Sequence, residues 1–212
     1  MGLRTAIGTM VAFVLVVGAV ILLWWDIDVR WRPHDLTKDQ GKIAALLQAA
    51  GWVSPGGGAS KLYVVGVRDC LGCERIQRSD FPALQKAGVD TRVIMIAAPD
   101  VNGKPVTTPA ERAMVAELWV NRSWPLYQAW MAANPASWAA PGVPPADGDA
   151  ARSAVVETSR DLADKLKPLL GENGVAVTWP LVIWQAKDGT LEAASGDAPK
   201  TWAYMKRDLG AP

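Results

Sequence analysis

The pattern of apolar and polar positions starts as an alternation of strands and helices. Two short runs rich in β-branched residues, KLYVVGV (61–67) and TRVIMIA (91–97), predict buried strands. Between them, residues 73–88 predict a helix, and the proline at position 82 is expected to kink or end its first part. The first half of the main body therefore reads as strand, helix, strand.

Helices dominate the pattern that follows. Thr108, Pro109 and Glu111 have the spacing of a capping box with proline at the first helical position, and they predict a helix start. Further helices are expected over 123–133, 150–171 and 199–209, with a hairpin of two strands over 181–195. Two parallel strands joined by a crossover, together with a hairpin, predict an α/β fold with a mixed sheet covered by helices.

A long apolar run lies near the amino-terminal end, where no charged residue occurs between Arg4 and Asp26. As a helix, residues 5–25 would extend about 31 Å, which matches a bilayer core of about 30 Å. Two tryptophans end the run, as at many membrane interfaces. The run predicts one transmembrane helix. A cleavable signal peptide is the alternative, but the following LLWWDID offers no small-residue cleavage site.

The remaining chain divides into a connecting segment and a main body. Residues 26–60 contain a predicted short helix (36–51) and the glycine-rich joint SPGGGAS (54–60). Residues 61–212 form the predicted α/β domain, with a helical insertion at about 105–170. The first 25 residues are the predicted anchor.

Composition excludes several classes of protein. The chain has 212 residues, with 22 Lys and Arg against 21 Asp and Glu, so it lacks the basic excess of nucleic-acid-binding proteins. Charged residues make up 20% and apolar residues 50%, which excludes a disordered chain. The length suffices for one ordinary domain with an appendage.

Both cysteines of the chain, Cys70 and Cys73, directly follow the first predicted strand, where a helix is expected to start. Free N–H groups and the partial positive charge of a helix N-terminus stabilise a thiolate, which is the reactive form of cysteine. We expect Cys70 to be the outer, accessible nucleophile and Cys73 to lie one turn inside, where it resolves a mixed disulfide. The pair is therefore interpreted as a redox pair.

Other chemistries fit the pair less well. A structural zinc site needs four ligands, and the chain offers two cysteines and one histidine, His34. Covalent haem attachment requires histidine after the second cysteine, where Glu74 stands. Copper binding by two thiolates and an inert structural disulfide remain alternatives. No metal or cofactor is expected beyond the redox-active disulfide itself.

With a strand, a CxxC pair and a helix in this order, the chain resembles the thioredoxin superfamily. In that superfamily, a cis-proline at the start of a later strand packs beside the CxxC pair. Two Trp-Pro-Leu sequences occur, and Pro180 rather than Pro125 directly precedes a predicted strand. The resemblance therefore implies that Pro180 is the cis-proline. It also implies that Thr178 and Trp179, which precede it, help to bind the peptide substrate.

Within the superfamily, the chain most resembles the DsbC/DsbG type of periplasmic disulfide isomerases and oxidases, over about residues 61–209. Four segments carry the likeness: DCLGCERIQ, AERAMVAELWV, the proline-rich loop and GVAVTWPLVIWQAKDGTL. That family usually has threonine directly before the cis-proline, whereas this chain has Trp179. The resemblance implies a thioredoxin-like mixed sheet with a helical insertion.

Aromatic and charged residues near the pair allow two interpretations each. The tryptophans of the predicted insertion either pack in the core or line a cleft for unfolded substrate; they are Trp119, Trp124, Trp130 and Trp138. Arg68 either favours a thiolate by Coulomb attraction or is a solvated surface charge.

These observations lead to one functional hypothesis and two alternatives. We expect a thiol–disulfide oxidoreductase or isomerase tethered to a bacterial inner membrane, with its domain in the periplasm, where disulfides persist. The expected partners are thiol-containing proteins, a membrane redox partner and the bilayer through residues 5–25, and no nucleic acid. The alternatives are a non-catalytic scaffold of an envelope complex and a reductase for cytochrome maturation.

The orientation across the membrane is an expectation based on chemistry. Only Arg4 precedes the span, whereas four basic residues follow it: Arg30, Arg32, Lys38 and Lys42. Counted alone, these charges would place the domain in the cytoplasm. We expect the periplasm instead, because short N-terminal tails commonly stay inside and because disulfide exchange belongs in an oxidising compartment.

Overall fold

The computed structural model describes residues 2–212, together with their side chains except those of residues 3–9 and 27–28. The chain divides into two compact units, Met1–Arg32 and Pro33–Pro212. The described part of the first unit is helical, and the second unit contains a five-stranded sheet.

One long helix makes up most of the first unit. Helix α1 spans Leu3–Trp24, and a π-helical turn, Trp25–Val29, continues it. The described side chains of α1 are mainly apolar and exposed. The predicted membrane span includes residues 5–9, which lie outside the described side chains. Within the part that is described, no helix is both long enough and apolar enough to cross a membrane.

The second unit is built on one mixed sheet. Its strands are His34–Leu36 (β1), Ser60–Gly66 (β2), Val89–Met95 (β3), Leu181–Gln185 (β4) and Leu191–Ser195 (β5). Their spatial order is β1-β5-β4-β2-β3. Strands β2 and β3 are parallel, whereas β4 is antiparallel to β2 and β5, and β1 is antiparallel to β5. The mixed α/β fold expected from the sequence is confirmed.

Helices pack against both faces of this sheet. They are Gln40–Ala49 (α2), Leu71–Ser79 (α3), Phe81–Lys86 (α4), Pro109–Asn121 (α5), Trp124–Ala132 (α6), Ala150–Gly171 (α7) and Pro199–Asp208 (α8). Since strand side chains alternate between faces, Val64 and Val93 join a buried cluster with α3, α5, α6 and α8. Their neighbours Val65 and Ile94 join a second cluster with α2 and α7.

Two local predictions are confirmed in detail. Helix α3 ends at Ser79, and Pro82 lies in the first turn of α4, so the expected interruption is present. The N-terminus of α5 carries the predicted capping box. The Thr108 hydroxyl accepts a hydrogen bond from the Glu111 N–H at 3.1 Å, and the Glu111 carboxylate accepts one from the Thr108 N–H at 2.6 Å.

Residues 33–60 pack with residues 61–212 in one compact unit. Strand β1 extends the sheet beside β5, and Val53 exchanges two backbone hydrogen bonds of 2.8 Å with Val93. The division between the units therefore differs from the boundary predicted at the glycine-rich joint. A strand of three residues is too short to show a two-residue period, which explains why the sequence pattern does not indicate β1.

Candidate active site

The two cysteines form a disulfide at the start of α3. Their Cα atoms are 5.1 Å apart, and Cys70 is the N-cap residue of the helix. The Cys70 Sγ accepts a hydrogen bond from the Cys73 N–H at 3.0 Å, and the Cys70 carbonyl accepts the first helical bond, from the Glu74 N–H, at 3.1 Å. The predicted position of the pair at a helix N-terminus is confirmed. A thiolate on Cys70 would be held by the same N–H group.

The exposure of the two cysteines differs from expectation. Cys70 is 6% exposed and Cys73 is 5% exposed, so in the disulfide neither residue is the more accessible one. Cys73 packs against Gly66 at the end of β2, where any side chain would collide with its Sγ. Leu71, between the cysteines, is 78% exposed. An exposed leucine thus lies between two cysteines that are themselves almost completely buried.

The Trp179–Pro180 peptide bond is cis, which confirms the choice of Pro180 over Pro125. Pro125 instead lies in the first turn of α6. Pro180 reaches the cysteine pair through Gly72: a Cβ built on Gly72 would lie 2.6 Å from the Pro180 Cδ. The sequence positions 70–73 and 180 therefore meet in one place, as the resemblance implies.

Thr178 and Trp179 have different surroundings. Thr178 is exposed, and its N–H donates to the Ser195 Oγ of β5 at 2.8 Å. Trp179 is half-buried and packs against the cluster that α2 and α7 cover. Thr178 is therefore exposed, Trp179 is half-buried, and Pro180 itself is buried.

Arg68, two residues before Cys70, is only 4% exposed, so the interpretation as a solvated surface charge is wrong. Its Nη2 donates to two carbonyls at the end of α6, those of Trp130 at 3.1 Å and Ala133 at 2.7 Å. Its Nη1 lies 3.5 Å from the Glu74 carboxylate in the first turn of α3. Arg68 therefore ties the helical insertion to the loop that carries the cysteines.

A second contact joins α6 to the cysteine helix. The Tyr127 hydroxyl donates to the Gln77 Oε1 at 3.0 Å, and Tyr127 is almost fully buried. Burial raises the pKa of Tyr127, and the positive charge of Arg68 opposes this only in part. The hydroxyl consequently stays protonated and remains a hydrogen-bond donor at neutral pH.

The tryptophans of the insertion are core residues, so the first of the two interpretations fits them. Trp130 is fully buried, and the other three pack partly buried against the core: Trp119, Trp124 and Trp138. The Trp119 Nε1 also donates to the Met95 carbonyl of β3 at 2.7 Å.

One ion pair beside the disulfide was not indicated by the sequence pattern. Arg75 of α3 lies 2.7 Å from the Asp197 carboxylate, which belongs to the loop between β5 and α8. A Cβ built on Gly72 would lie 3.1 Å from the Asp197 Cβ. The only available signal was the position of Arg75 two residues after Cys73, since Asp197 is distant in sequence.

Similar solved structures include two of ScsC and one of a periplasmic thioredoxin-like protein. A Proteus mirabilis ScsC variant with a linker deletion and a substitution is 14% identical, over 98% of this chain and 95% of that one, with a TM-score of 0.54. A periplasmic thioredoxin-like protein from Salmonella enterica serovar Typhimurium is 17% identical over 82% and 100%, with a TM-score of 0.48. The catalytic domain of Proteus mirabilis ScsC is 13% identical over 80% and 96%, with a TM-score of 0.43.

No family model and no curated protein matches the sequence. The likeness to the ScsC variant spans nearly all of both chains, and the chain has a mixed α/β thioredoxin-like fold. At this low identity the likeness establishes the fold alone. The activity has to be argued from the site.

Proposed function

We propose that the chain is a thiol–disulfide oxidoreductase that exchanges disulfides with protein substrates through Cys70 and Cys73. The observation that supports this most directly is the disulfide at the N-terminus of α3, beside the cis Pro180. Helix N–H groups stabilise the thiolate that must form when the disulfide opens. No cofactor is needed, because the disulfide itself accepts two electrons.

Exchange proceeds through a mixed disulfide. A substrate thiolate attacks the Cys70 Sγ, the Cys70–Cys73 bond breaks, and Cys73 leaves as a thiolate. A second substrate thiolate then attacks the bound substrate sulfur and releases Cys70 as a thiolate. The substrate gains a disulfide and loses two electrons to the pair, and substrate reduction follows the reverse path. Pro180, with Thr178 and Trp179, would contact the substrate main chain during these steps.

The finer assignment is a DsbC/DsbG-like enzyme of the periplasm that acts as oxidase, isomerase or reductase according to its reduction potential. A potential near −120 mV indicates an oxidase, whereas one near −270 mV indicates a reductase. Equilibration of the pair with glutathione or dithiothreitol buffers measures this potential. Its proposed partners are thiol-containing client proteins and a membrane protein that restores its redox state.

The proposal includes a membrane anchor in residues 5–25, with the second unit in the periplasm. Support comes from the uninterrupted α1, Leu3–Trp24, and from the exposed apolar side chains described along it. At 1.5 Å per residue such a helix is about 33 Å long. Expression in bacteria followed by carbonate extraction tests the anchor: the chain should stay in the membrane pellet, and release into the supernatant would contradict it.

Insulin reduction and the refolding of a scrambled disulfide substrate test the activity. Wild-type protein should accelerate at least one of these reactions, and Cys70→Ser should fall to the uncatalysed rate because the attacking sulfur is absent. Ser137→Ala, which changes an exposed serine of the proline-rich loop, is the matched control and should equal wild type. Equal rates for wild type and Cys70→Ser would overturn the proposal.

A scaffold of an envelope complex is a second candidate, because both cysteines are almost completely buried in the disulfide. Such a scaffold would keep the fold without exchanging thiols. This candidate predicts no activity in either assay and full complex assembly with the Cys70→Ser protein.

A trapping experiment with Cys73→Ala tests the reductase alternative. This variant preserves the mixed disulfide and would therefore identify the clients of an enzyme. An apocytochrome among them would favour a reductase.

A further inference from the structure

A small cavity opens beside the cysteine pair, on the side where β2 and β3 end. Its volume is about 130 Å³. Buried side chains form its floor, among them Ile96, Val115 and Trp130. Exposed residues stand at its rim: Asp69 directly precedes Cys70, and Val106 is 51% exposed. The cavity therefore opens next to the loop that leads into Cys70 and extends toward the apolar core.

The size of the cavity suits one apolar side chain. An apolar protein cavity of about 150 Å³ can hold a benzene molecule. A space of similar volume accepts the branched end of a leucine or a phenyl ring, but not a dipeptide. The buried floor is mainly carbon, although Arg68, Asp69, Thr107 and Glu111 also line the cavity. An apolar side chain fits this floor better than a charged one, which would lose its hydration there.

The charges around the cavity also specify its occupant. Two acidic residues, Asp69 and Glu111, line it, and the Glu111 carboxylate accepts a hydrogen bond in the capping box of α5. The positive charge in the wall, Arg68, is buried and already bonded to two carbonyls and to Glu74. The rim is therefore negative toward solvent, which complements a basic residue beside an apolar one.

We propose that this cavity is a substrate side-chain site that selects client cysteines preceded by an apolar residue, with a lysine or arginine next to that residue. The inference deepens the proposed thiol exchange and depends on it. Asp69 is adjacent to Cys70 in the chain, and an extended peptide advances about 3.4 Å per residue. In this proposal, a client whose cysteine reaches Cys70 places the side chain one residue away over the cavity that Asp69 lines.

The test uses the full-length chain with Cys73→Ser, so that Cys70 attacks the probe and the mixed disulfide accumulates. The probes are peptides of sequence Lys-Leu-Cys-Gly and Lys-Gly-Cys-Gly whose cysteine carries a 2-nitro-5-thiobenzoate leaving group. Attack by Cys70 forms the protein–peptide disulfide and releases the coloured nitrothiobenzoate anion, so the rate is read by absorbance. The leucine peptide should react about tenfold faster, near the lower end of what burial of a leucine side chain provides.

Two further variants locate the site. Ala98→Leu adds three carbons at a half-buried position that lines the cavity, and the leucine-to-glycine rate ratio should fall to about one. Ala132→Leu adds the same three carbons at an exposed position of α6 that does not line the cavity, and it should leave the ratio unchanged. Replacing the probe lysine by glutamate should lower the rate, and Asp69→Asn should weaken that charge preference.

The possible failures are distinguishable. If neither peptide reacts, the proposed thiol exchange fails, and this inference fails with it. If both peptides react at equal rates, thiol exchange stands and the side-chain site is overturned. The site is also overturned if Ala98→Leu keeps the preference for leucine. The ratio measured for the Cys73→Ser chain without further substitutions decides the question even where one of the additional variants does not fold.

Discussion

The charged residues closest to the disulfide show what single positions contribute. The sequence left Arg68 open to two interpretations, a charge that favours a thiolate or a solvated surface charge. Its guanidinium instead donates to two carbonyls that are more than sixty positions away in the chain. No local pattern indicates that contact, because the carbonyls belong to the end of α6. The arginine thus supports the position of the cysteine loop, and its charge is largely compensated.

Arg68→Met is expected to lower the free energy of unfolding by about 2–4 kcal/mol, because it leaves buried carbonyls without a donor and removes one of the two arginines that face Glu74. Urea unfolding measures the change. Arg78→Met is the matched control: Arg78 also faces Glu74, at 3.7 Å, but is strongly exposed. We expect less than about 0.5 kcal/mol there. Similar losses in both variants would contradict the structural role of Arg68.

The ionisation of Glu192 in β5 makes the free energy of unfolding depend on pH. Burial, and then the charges of Asp208, Asp35 and Asp188, raise the pKa of Glu192 to about 7 from 4.5. Asp35 lies directly opposite on β1. Because the folded-state pKa is raised, the protonated carboxyl favours folding; this stability is fully present below about pH 4.5 and is lost as the pH rises through 7.

Glu192→Gln, which stays neutral, should therefore match wild type near pH 4.5 and exceed it at about pH 8. The gain is expected to be about 1 kcal/mol, since water reduces the cost at a half-buried carboxyl. Thermal or urea unfolding across this range measures it. Glu172→Gln, at the exposed end of α7, is the control and should follow the wild-type profile. A constant difference at every pH would contradict the assignment to Glu192 ionisation.

At the scale of elements, capping residues, turn residues and the periodicity of apolar positions predicted most helices and strands well. Helix α7 occupies residues 150–171 as expected, and the hairpin β4–β5 surrounds the Asp188–Gly189 turn. The strand β1 was missed, because its edge position depends on pairing with β5, which is distant in sequence. Local sequence signals thus indicate the elements whose own residues carry capping or turn signals. Strands that form only by pairing with a distant segment, such as β1, are not indicated in this way.

The capping box of α5 is the best test of local chemistry. Thr108→Ala removes the hydroxyl that accepts the Glu111 N–H, and we expect a loss of about 1 kcal/mol in the free energy of unfolding. Thr158→Ala, in the exposed middle of α7, is the control. Alanine is the better helix former there, so stability should stay equal or rise slightly. Equal effects at both threonines would show that the cap contributes nothing.

At the scale of the whole molecule, the sequence indicated the members of the site but only part of its geometry. The helix-start position of the cysteines and the cis Pro180 could be predicted, because each leaves a short signal in the chain. The low exposure of both cysteines and the Arg75–Asp197 pair could not. Cys73 packs against Gly66 at the end of β2, and α3, Pro180 and Asp197 meet around Gly72, so both features depend on contacts between distant segments.

Gly72 is where those segments approach most closely, and replacing it tests the assembled site. An alanine Cβ would lie 2.6 Å from the Pro180 Cδ and 3.1 Å from the Asp197 Cβ, so the cis-proline loop or α3 must move. We expect Gly72→Ala to lower the free energy of unfolding by about 1–2 kcal/mol, since overpacking outweighs the better helix propensity of alanine. Urea unfolding of the oxidised protein measures this.

Gly41→Ala is the matched control, because Gly41 also lies in the first turn of a helix, α2, with nothing within 4 Å of the added Cβ. There the change should raise the free energy of unfolding, by up to about 1 kcal/mol. Gly72→Ala should be destabilising because its Cβ meets distant parts of the fold. Gly41→Ala should be stabilising because only helix propensity changes there. If Gly72→Ala were as stabilising as Gly41→Ala, the close approach of the cysteine helix to Pro180 and Asp197 would be disproved.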